Sequence, residues 1–256
     1  MHRKPILFFL FVTSALSILY PSPKANAMLF KSDIFISDSA GAGWDTWGCF
    51  HNGTYYLYYQ IKENATYGQG FGVANSSDGV HWTDHGWAIH ESDKNTYYCG
   101  SGSIWKSADY DTSGKFICNY SEHRQVDGKR TQNILFAWST DFIHWTKYDD
   151  KTVFKVDTRY FIEHGRWDCI STFPRAEGGY WGTWTASGKE VKGTVGIGYS
   201  EDGLHWITLP PPVIEPGVSE SGGMYSIKGP YPIFNMVSEK AQVAHFNILK
   251  VFQKFL

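Results

Sequence analysis

Short runs of apolar and aromatic residues, each bounded by Gly, Asn, Asp or Ser, recur along this chain, and that punctuation predicts strands rather than helices. Phe71 to Ala74, Ile134 to Trp138 and Val195 to Tyr199 are three such runs. Each leads into the same seven-residue pattern of Ser, Asp, His and Trp: Ser76 to Trp82, Ser139 to Trp145 and Ser200 to Trp206. The tryptophans that close the pattern stand 63 and 61 residues apart (145 − 82 and 206 − 145). Its Ser-x-Asp portion is turn chemistry, and the His-Trp that follows opens another strand.

A second element precedes each copy. Gly53 to Tyr59, entered through the turn His51-Asn52-Gly53, is matched by Gly114 to Tyr120, by Gly178 to Trp184 and, more weakly, by Gly229 to Phe234. A repeat of about sixty residues holding several strands and no helix predicts an all-β protein, a β-propeller. About three and a half repeats are present, so the propeller is expected to be incomplete at its C-terminus. Residues 28–235 form the expected propeller domain, and 236–256 an atypical tail in which Val243, Phe246, Leu249 and Phe252 fall near helical spacing.

Residues entering the second element of successive repeats occupy equivalent places and are expected to face one axis. They include Asp45, Asp168 and Glu220. Asp45 lies between Trp44 and Trp47, at the mouth of an aromatic strand. Asp is disfavoured in strands, so it is either a turn residue or part of a site. The equivalent stretch of the second repeat is Gly100-Ser101-Gly102-Ser103, followed by Trp105. With no Lys and no helix after it, that stretch is no phosphate loop.

Composition narrows the picture. Aromatics are 17 % of the 256 residues, charged residues only 19 %, and the net charge of −2 makes neither nucleic acid nor an acidic membrane an expected partner. His2-Arg3-Lys4, the apolar run Ile6 to Tyr20 and the closing Ala25-Asn26-Ala27 predict a secretory signal over residues 1–27. The run is too short to span a bilayer, so the expected location is secreted or periplasmic, with no membrane attachment after cleavage. Cys49, Cys99, Cys118 and Cys169 form no C-x-x-C pair, no metal site is predicted and no cofactor is expected.

Three carboxylates around an aromatic hollow suit glycoside hydrolysis, which needs an acid for the leaving oxygen and a second carboxylate for the anomeric carbon. Trp44, Trp47, Trp105 and Trp167 offer faces for sugar rings, and Arg166 a fork of donors for hydroxyls. Ser103 belongs to the same candidate binding set. The stretch Glu122-His123-Arg124 ends the strand of the second repeat and either lines the hollow or sits in an exposed loop, with Glu122 the candidate binding residue. His81, His144 and His205 recur with the repeat and read as structural.

The run Phe50 to Gln60 resembles the first blade of the five-bladed propeller glycosidases of families 32, 43 and 68, the invertase, levanase and arabinanase groups. Gly72 to Trp82, Gly100 to Ser103, Arg166 to Cys169 and Glu220 follow in the family's order. The resemblance implies Asp45 as nucleophile or general base, Asp168 as transition-state stabiliser and Glu220 as general acid. It implies an oligosaccharide or polysaccharide as substrate, a furanoside or a plant-type sugar. This chain departs from family 32 in carrying Trp44-Asp45-Thr46-Trp47-Gly48 for Asn-Asp-Pro-Asn-Gly, Arg166-Trp167-Asp168-Cys169 for Arg-Asp-Pro, and Glu220-Ser221-Gly222 for Glu-Cys-Pro. Two other readings stand beside the hydrolase: a non-catalytic glycan-binding propeller or inactive truncated glycosidase, and a protein-interaction propeller. Acidic groups at inner positions favour the first pair, because interaction propellers work through exposed rims.

Overall fold

The computed structural model describes residues 45–61, 69–92, 94–190, 194–211, 218–225, 233–238 and 243–247. The expected leader and Trp44 lie outside the described residues. Each repeat folds as one antiparallel meander. The first sheet is β1 (Trp47–His51), β2 (Thr54–Ile61), β3 (Gly70–Ser76) and β4 (Thr83–Ile89), in that order. The second is β5 (Thr96–Lys106), β6 (Phe116–Val126), β7 (Lys129–Ser139) and β8 (Thr146–Lys147). The third is β9 (Trp167–Pro174), β10 (Tyr180–Ala186), β11 (Thr194–Ser200) and β12 (Ile207–Thr208). A fourth contains β13 (Val218–Tyr225), β14 (Ile233–Ser238) and β15 (Val243–Asn247).

The first strands of neighbouring sheets lie side by side, β1 against β5, β5 against β9 and β9 against β13. That is the arrangement of propeller blades, with the first strand innermost. The segment read as helical around Val243 is instead β15, paired residue for residue with β14 from Ile233↔Asn247 to Val237↔Val243. Strand pairing runs past residue 235, so the backbone pattern continues into the expected tail. Strands and helices both accommodate short apolar runs, and here the ladder offered by β14 decides. One turn of helix, α1 (Tyr110–Ser113), closes on Gly114 at φ 66°.

The repeated Ser-Asp-His-Trp pattern is the turn between the third and fourth strands of each blade. In all three copies the Asp Oδ1 accepts the backbone N–H groups two and three residues on, at 2.8–2.9 Å. Its Oδ2 meets the His Nδ1 at 2.7 Å. The Trp indole N–H returns to the backbone carbonyl three residues before it. The turn therefore satisfies most of its polar groups locally, and the second copy adds a tertiary partner, the Tyr58 hydroxyl.

Blades pack face to face. Trp105, Ile117, Ile134 and Phe136 of the second close on Trp167, Ile170 and Trp184 of the third. Trp47, Tyr58, Phe71 and Val73 of the first close on Cys99, Cys118 and Tyr120 of the second. All four cysteines are free thiols, and burial pushes the Cys49 thiol up to about 12. Among the described residues no helix is long and apolar enough to cross a membrane.

Candidate active site

Because every blade begins with its innermost strand, residues near the starts of those strands share one end of the molecule. Asp45 lies two residues before β1, Tyr98 and Gly100 lie early in β5, Asp168 is the second residue of β9 and Glu220 the third of β13. For Glu220 the structure gives the backbone position, opposite Val237 in the β13–β14 ladder.

Asp168 is buried, with only 7 % of the residue exposed. Its Oδ1 accepts the Ser121 hydroxyl at 2.5 Å and the Cys169 N–H at 3.0 Å. Its Oδ2 accepts Arg166 Nη2 at 2.9 Å. Arg166, the residue just before β9, and Asp168 are two apart in extended chain and meet on one side, while Trp167 between them turns into the core. The intervening residue therefore keeps the Arg–Asp contact. Pairing of β9 with β10 jumps from Asp168↔Thr185 to Ile170↔Trp184, leaving Cys169 as the extra residue of a bulge. Such bulges re-aim neighbouring side chains, and this one sits beside the carboxylate.

One face of β6 holds β9 in place. Asn119 accepts the Ile170 N–H at 2.7 Å and donates to the Ile170 carbonyl at 3.0 Å. Ser121, which binds Asp168, also accepts from Gln132 Nε2 at 3.2 Å, and Gln132 Oε1 accepts the Trp167 N–H. His123 comes next on that face. Burial lowers its pKa; the Asp168 charge raises it, and Arg166 and Arg130 lower it further. Its Nε2 is buried and has no partner. An imidazole held neutral with an unused ring nitrogen suits a ligand hydroxyl better than an ion pair.

Asp45 is tied to this group from the neighbouring blade. Its backbone is left-handed, φ 54°, and its Oδ2 accepts the Tyr98 hydroxyl. Tyr98 pairs with His123 across β5–β6, their rings meeting edge to face at 5.0 Å. Contacts thus run from Asp45 through Tyr98 to His123, which feels the charges of the Asp168–Arg166 pair. At Gly100, opposite Ser121, a Cβ would stand 2.4 Å from Ser121 Oγ and 2.8 Å from Asp168 Oδ1. Only Gly lets β5 approach the carboxylate so closely.

Several expected site residues are elsewhere. Glu122 does not line the hollow: it faces opposite to Ser121 and His123, fully buried, accepting from Ser92 N and Oγ at 2.8 Å and Thr96 Oγ1 at 3.0 Å, with Lys147 Nζ 3.8 Å away. Trp167 is fully buried against Phe154, Phe161 and Trp184, and its indole donates to the Phe154 carbonyl. Trp105 packs on Phe136 and Trp206, and Trp47 stacks on Tyr58 at 4.1 Å. These three rings are core, because strand alternation turns them inward. Ser103 donates to the Ile170 carbonyl and accepts from Asn119, a blade-to-blade tie. Tyr98 and Ser121 are the residues sequence reasoning missed, and within Glu122-His123-Arg124 it is His123, not Glu122, that faces Asp168; the β5–β6 register that brings them together has no local signature.

The fold is a β-propeller with an acidic residue at or near the start of three of its inner strands. Residues 48–249 match the model of the glycosyl hydrolases family 32 N-terminal domain, and the chain belongs to that family. Two strains of Aspergillus fumigatus each carry a curated relative described as a probable arabinan endo-1,5-alpha-L-arabinosidase C, 26 % identical over 143 residues. That match takes in 55 % of this chain and 44 % of the relative, so the chain spans under half the length of the curated proteins it matches. Among solved structures, a family 32 beta-fructofuranosidase of Bombyx mori in complex with sucrose superposes with a TM-score of 0.61 at 16 % identity, covering 80 % of this chain and 43 % of that one. An exo-beta-1,3-galactanase of Clostridium thermocellum superposes with a TM-score of 0.58 at 12 % identity, covering 78 % of this chain and 46 % of that one. At such identities these likenesses speak for the propeller fold.

Proposed function

We propose that this protein is an exported glycoside hydrolase acting on furanoside oligosaccharides or polysaccharides at the strand-start end of the propeller. The observation that carries the reading is the Asp168 carboxylate, gripped by Arg166 and Ser121, with His123 next to Ser121 on the same face of β6 and Asp45 tied to His123 through Tyr98. A negative charge fixed before the reaction stabilises an oxocarbenium-like transition state without reorganising. Asp45 takes the role of nucleophile or general base and Glu220 that of general acid, protonating the leaving oxygen. A small shift of the buried His123 ring on substrate entry brings its unused Nε2 to a sugar hydroxyl, which satisfies its hydrogen-bonding capacity. Family membership and the arabinanase relative support arabino- and fructo-oligosaccharides as the first substrates to try. Residues 1–27, with their basic start and small-residue close, support export.

The test is hydrolysis of both oligosaccharide series by the purified protein. Asp45→Asn and Glu220→Gln are each expected to lower kcat by about 10²–10⁴-fold, the usual worth of a positioned acid or base. His123→Ala is expected to raise KM more than it lowers kcat. Saccharide binding with no turnover by the wild type selects the glycan-binding reading instead.

A further inference from the structure

A second cleft opens at the opposite ends of the inner strands, on the seam between the second and third blades. It has a volume of about 420 Å³ and is bounded by the end of β5 and α1 on one side, and by the end of β9 and the start of β10 on the other. Asp168 and Pro174 stand at the two ends of β9, six residues apart, which at about 3.3 Å per residue places this cleft about 20 Å from the proposed reaction centre.

The walls carry complementary chemistry. On the second blade the Lys106 ammonium rests over the Tyr110 ring, 4.1 Å from its centroid, with Asp111 beside them. On the third blade Arg175 lies over the rings of Tyr199 at 4.6 Å and Trp181 at 5.1 Å. Its Nε is buried with no hydrogen-bond acceptor, since Glu177 Oε2 is 3.8 Å away. The Tyr180 hydroxyl donates to the Lys106 carbonyl at 2.5 Å, fixing one wall to the other, and Glu201 completes the rim.

We propose that this cleft is a second, non-catalytic saccharide site that holds a neutral glycan on the far end of the propeller. Lys106 and Arg175 are interleaved with Asp111, Glu201 and Glu177, so the opening mixes both signs and no single-sign field selects an ion. The donors of Lys106 and Arg175 and the acceptors of Asp111 and Glu201 match a ligand that offers both kinds of group at every hydroxyl. Tyr110 and Tyr180 add ring surface for the apolar side of a sugar. The volume lies in the range of small-ligand sites, which is about 300–1,000 Å³. The ligand class rests on the proposed function, whereas the cleft and its residues are independent of the reaction centre.

The test titrates Asp45→Asn protein with arabino-oligosaccharides and fructo-oligosaccharides, with an oligogalacturonate as the charged control, following tyrosine and arginine side-chain resonances. A neutral oligosaccharide is expected to shift the Arg175 Nε–H and the Tyr110 ring signals saturably. Lys106→Ala with Asp111→Ala, both at exposed positions, is expected to weaken that binding at least fivefold. In the otherwise wild-type protein the same pair of changes leaves kcat/KM on short oligosaccharides unchanged and slows attack on polymer. No neutral saccharide shifting these signals, an affinity indifferent to the Lys106 and Asp111 changes, or binding by the oligogalacturonate alone overturns the proposal. Saturable binding here by a protein that hydrolyses nothing supports the cleft and removes the hydrolase reading, so the two failures are distinguishable.

Discussion

At the residue scale the arrangement turns on close approach. Ser121 Oγ is held between Asp168 and Gln132, and Asp168 between Ser121 and Arg166, so neither can retreat from an added methyl at Gly100. Gly100→Ala is expected to cost about 1–3 kcal/mol, the range for overpacked interiors, and to depress hydrolysis by displacing the carboxylate. Denaturant midpoints and kinetics of the variant check both. Phe142 tests a different balance. It adopts φ 64° where the equivalent turn residues are Gly79 at 75° and Gly203 at 79°. In return its ring packs on Phe116 at 4.4 Å and Tyr56 at 4.7 Å, and its carbonyl accepts the Tyr58 hydroxyl at 2.6 Å. Losing a buried Phe ring costs about 3–5 kcal/mol and removing the Cβ from a left-handed position returns about 1–2, so Phe142→Gly is expected to destabilise by about 1–4 kcal/mol, read from denaturant midpoints.

At the element scale the recurring turn between third and fourth strands is a pH-sensitive clasp. Burial alone would raise the Asp141 and Asp202 carboxyls, yet bonds from the His side chain and backbone N–H groups bring each down to about 2. Asp78 is lowered as well, first by His81. A folded pKa below the unfolded value of about 3.9 means that the stabilisation is full above about pH 4 and fades as pH falls toward 2. Thermal midpoints are therefore expected to drop over that window in the wild type. Asp141→Asn combined with Asp202→Asn is expected to lower the midpoint at pH 7 and to flatten the acid limb; an unchanged acid limb would show that the turns do not contribute.

This element was legible in the sequence because the bonds common to its three copies are made within seven residues. The inner-strand starts were legible for the same reason: repeats place Asp45, Asp168 and Glu220 at equivalent positions before any tertiary contact is known. What the sequence hid is facing. Glu122 and His123 are neighbours on β6, and alternation sends one into the first-blade interface and the other toward Asp168. Nothing local says which, because a shift of one residue in register exchanges them. Trp47, Trp105 and Trp167 mislead for a related cause: a large aromatic ring that looks like a sugar platform in one dimension is equally a blade-packing residue in three. The stretch at Val243 reads as helix by spacing until β14 supplies a partner strand.

At the scale of the whole molecule, the two ends of the inner strands have different chemistry. The starts collect carboxylates, a neutral imidazole and Arg166; the far ends of β5 and β9 carry the balanced cleft around Lys106 and Arg175. The account depends on Asp45, Asp168 and Glu220 facing a single sugar. A crystal structure of Asp45→Asn protein soaked with an unhydrolysed arabino- or fructo-oligosaccharide tests this most directly. It is expected to show one anomeric carbon between residue 45 and Glu220, with Asp168 against the same ring and His123 Nε2 within hydrogen-bonding distance of a hydroxyl. The carboxyl separation is then expected at about 5–5.5 Å for a retaining enzyme or about 6.5–9.5 Å for an inverting one. A sugar bound only elsewhere, or Glu220 directed away from the ring that Asp168 contacts, would contradict the account.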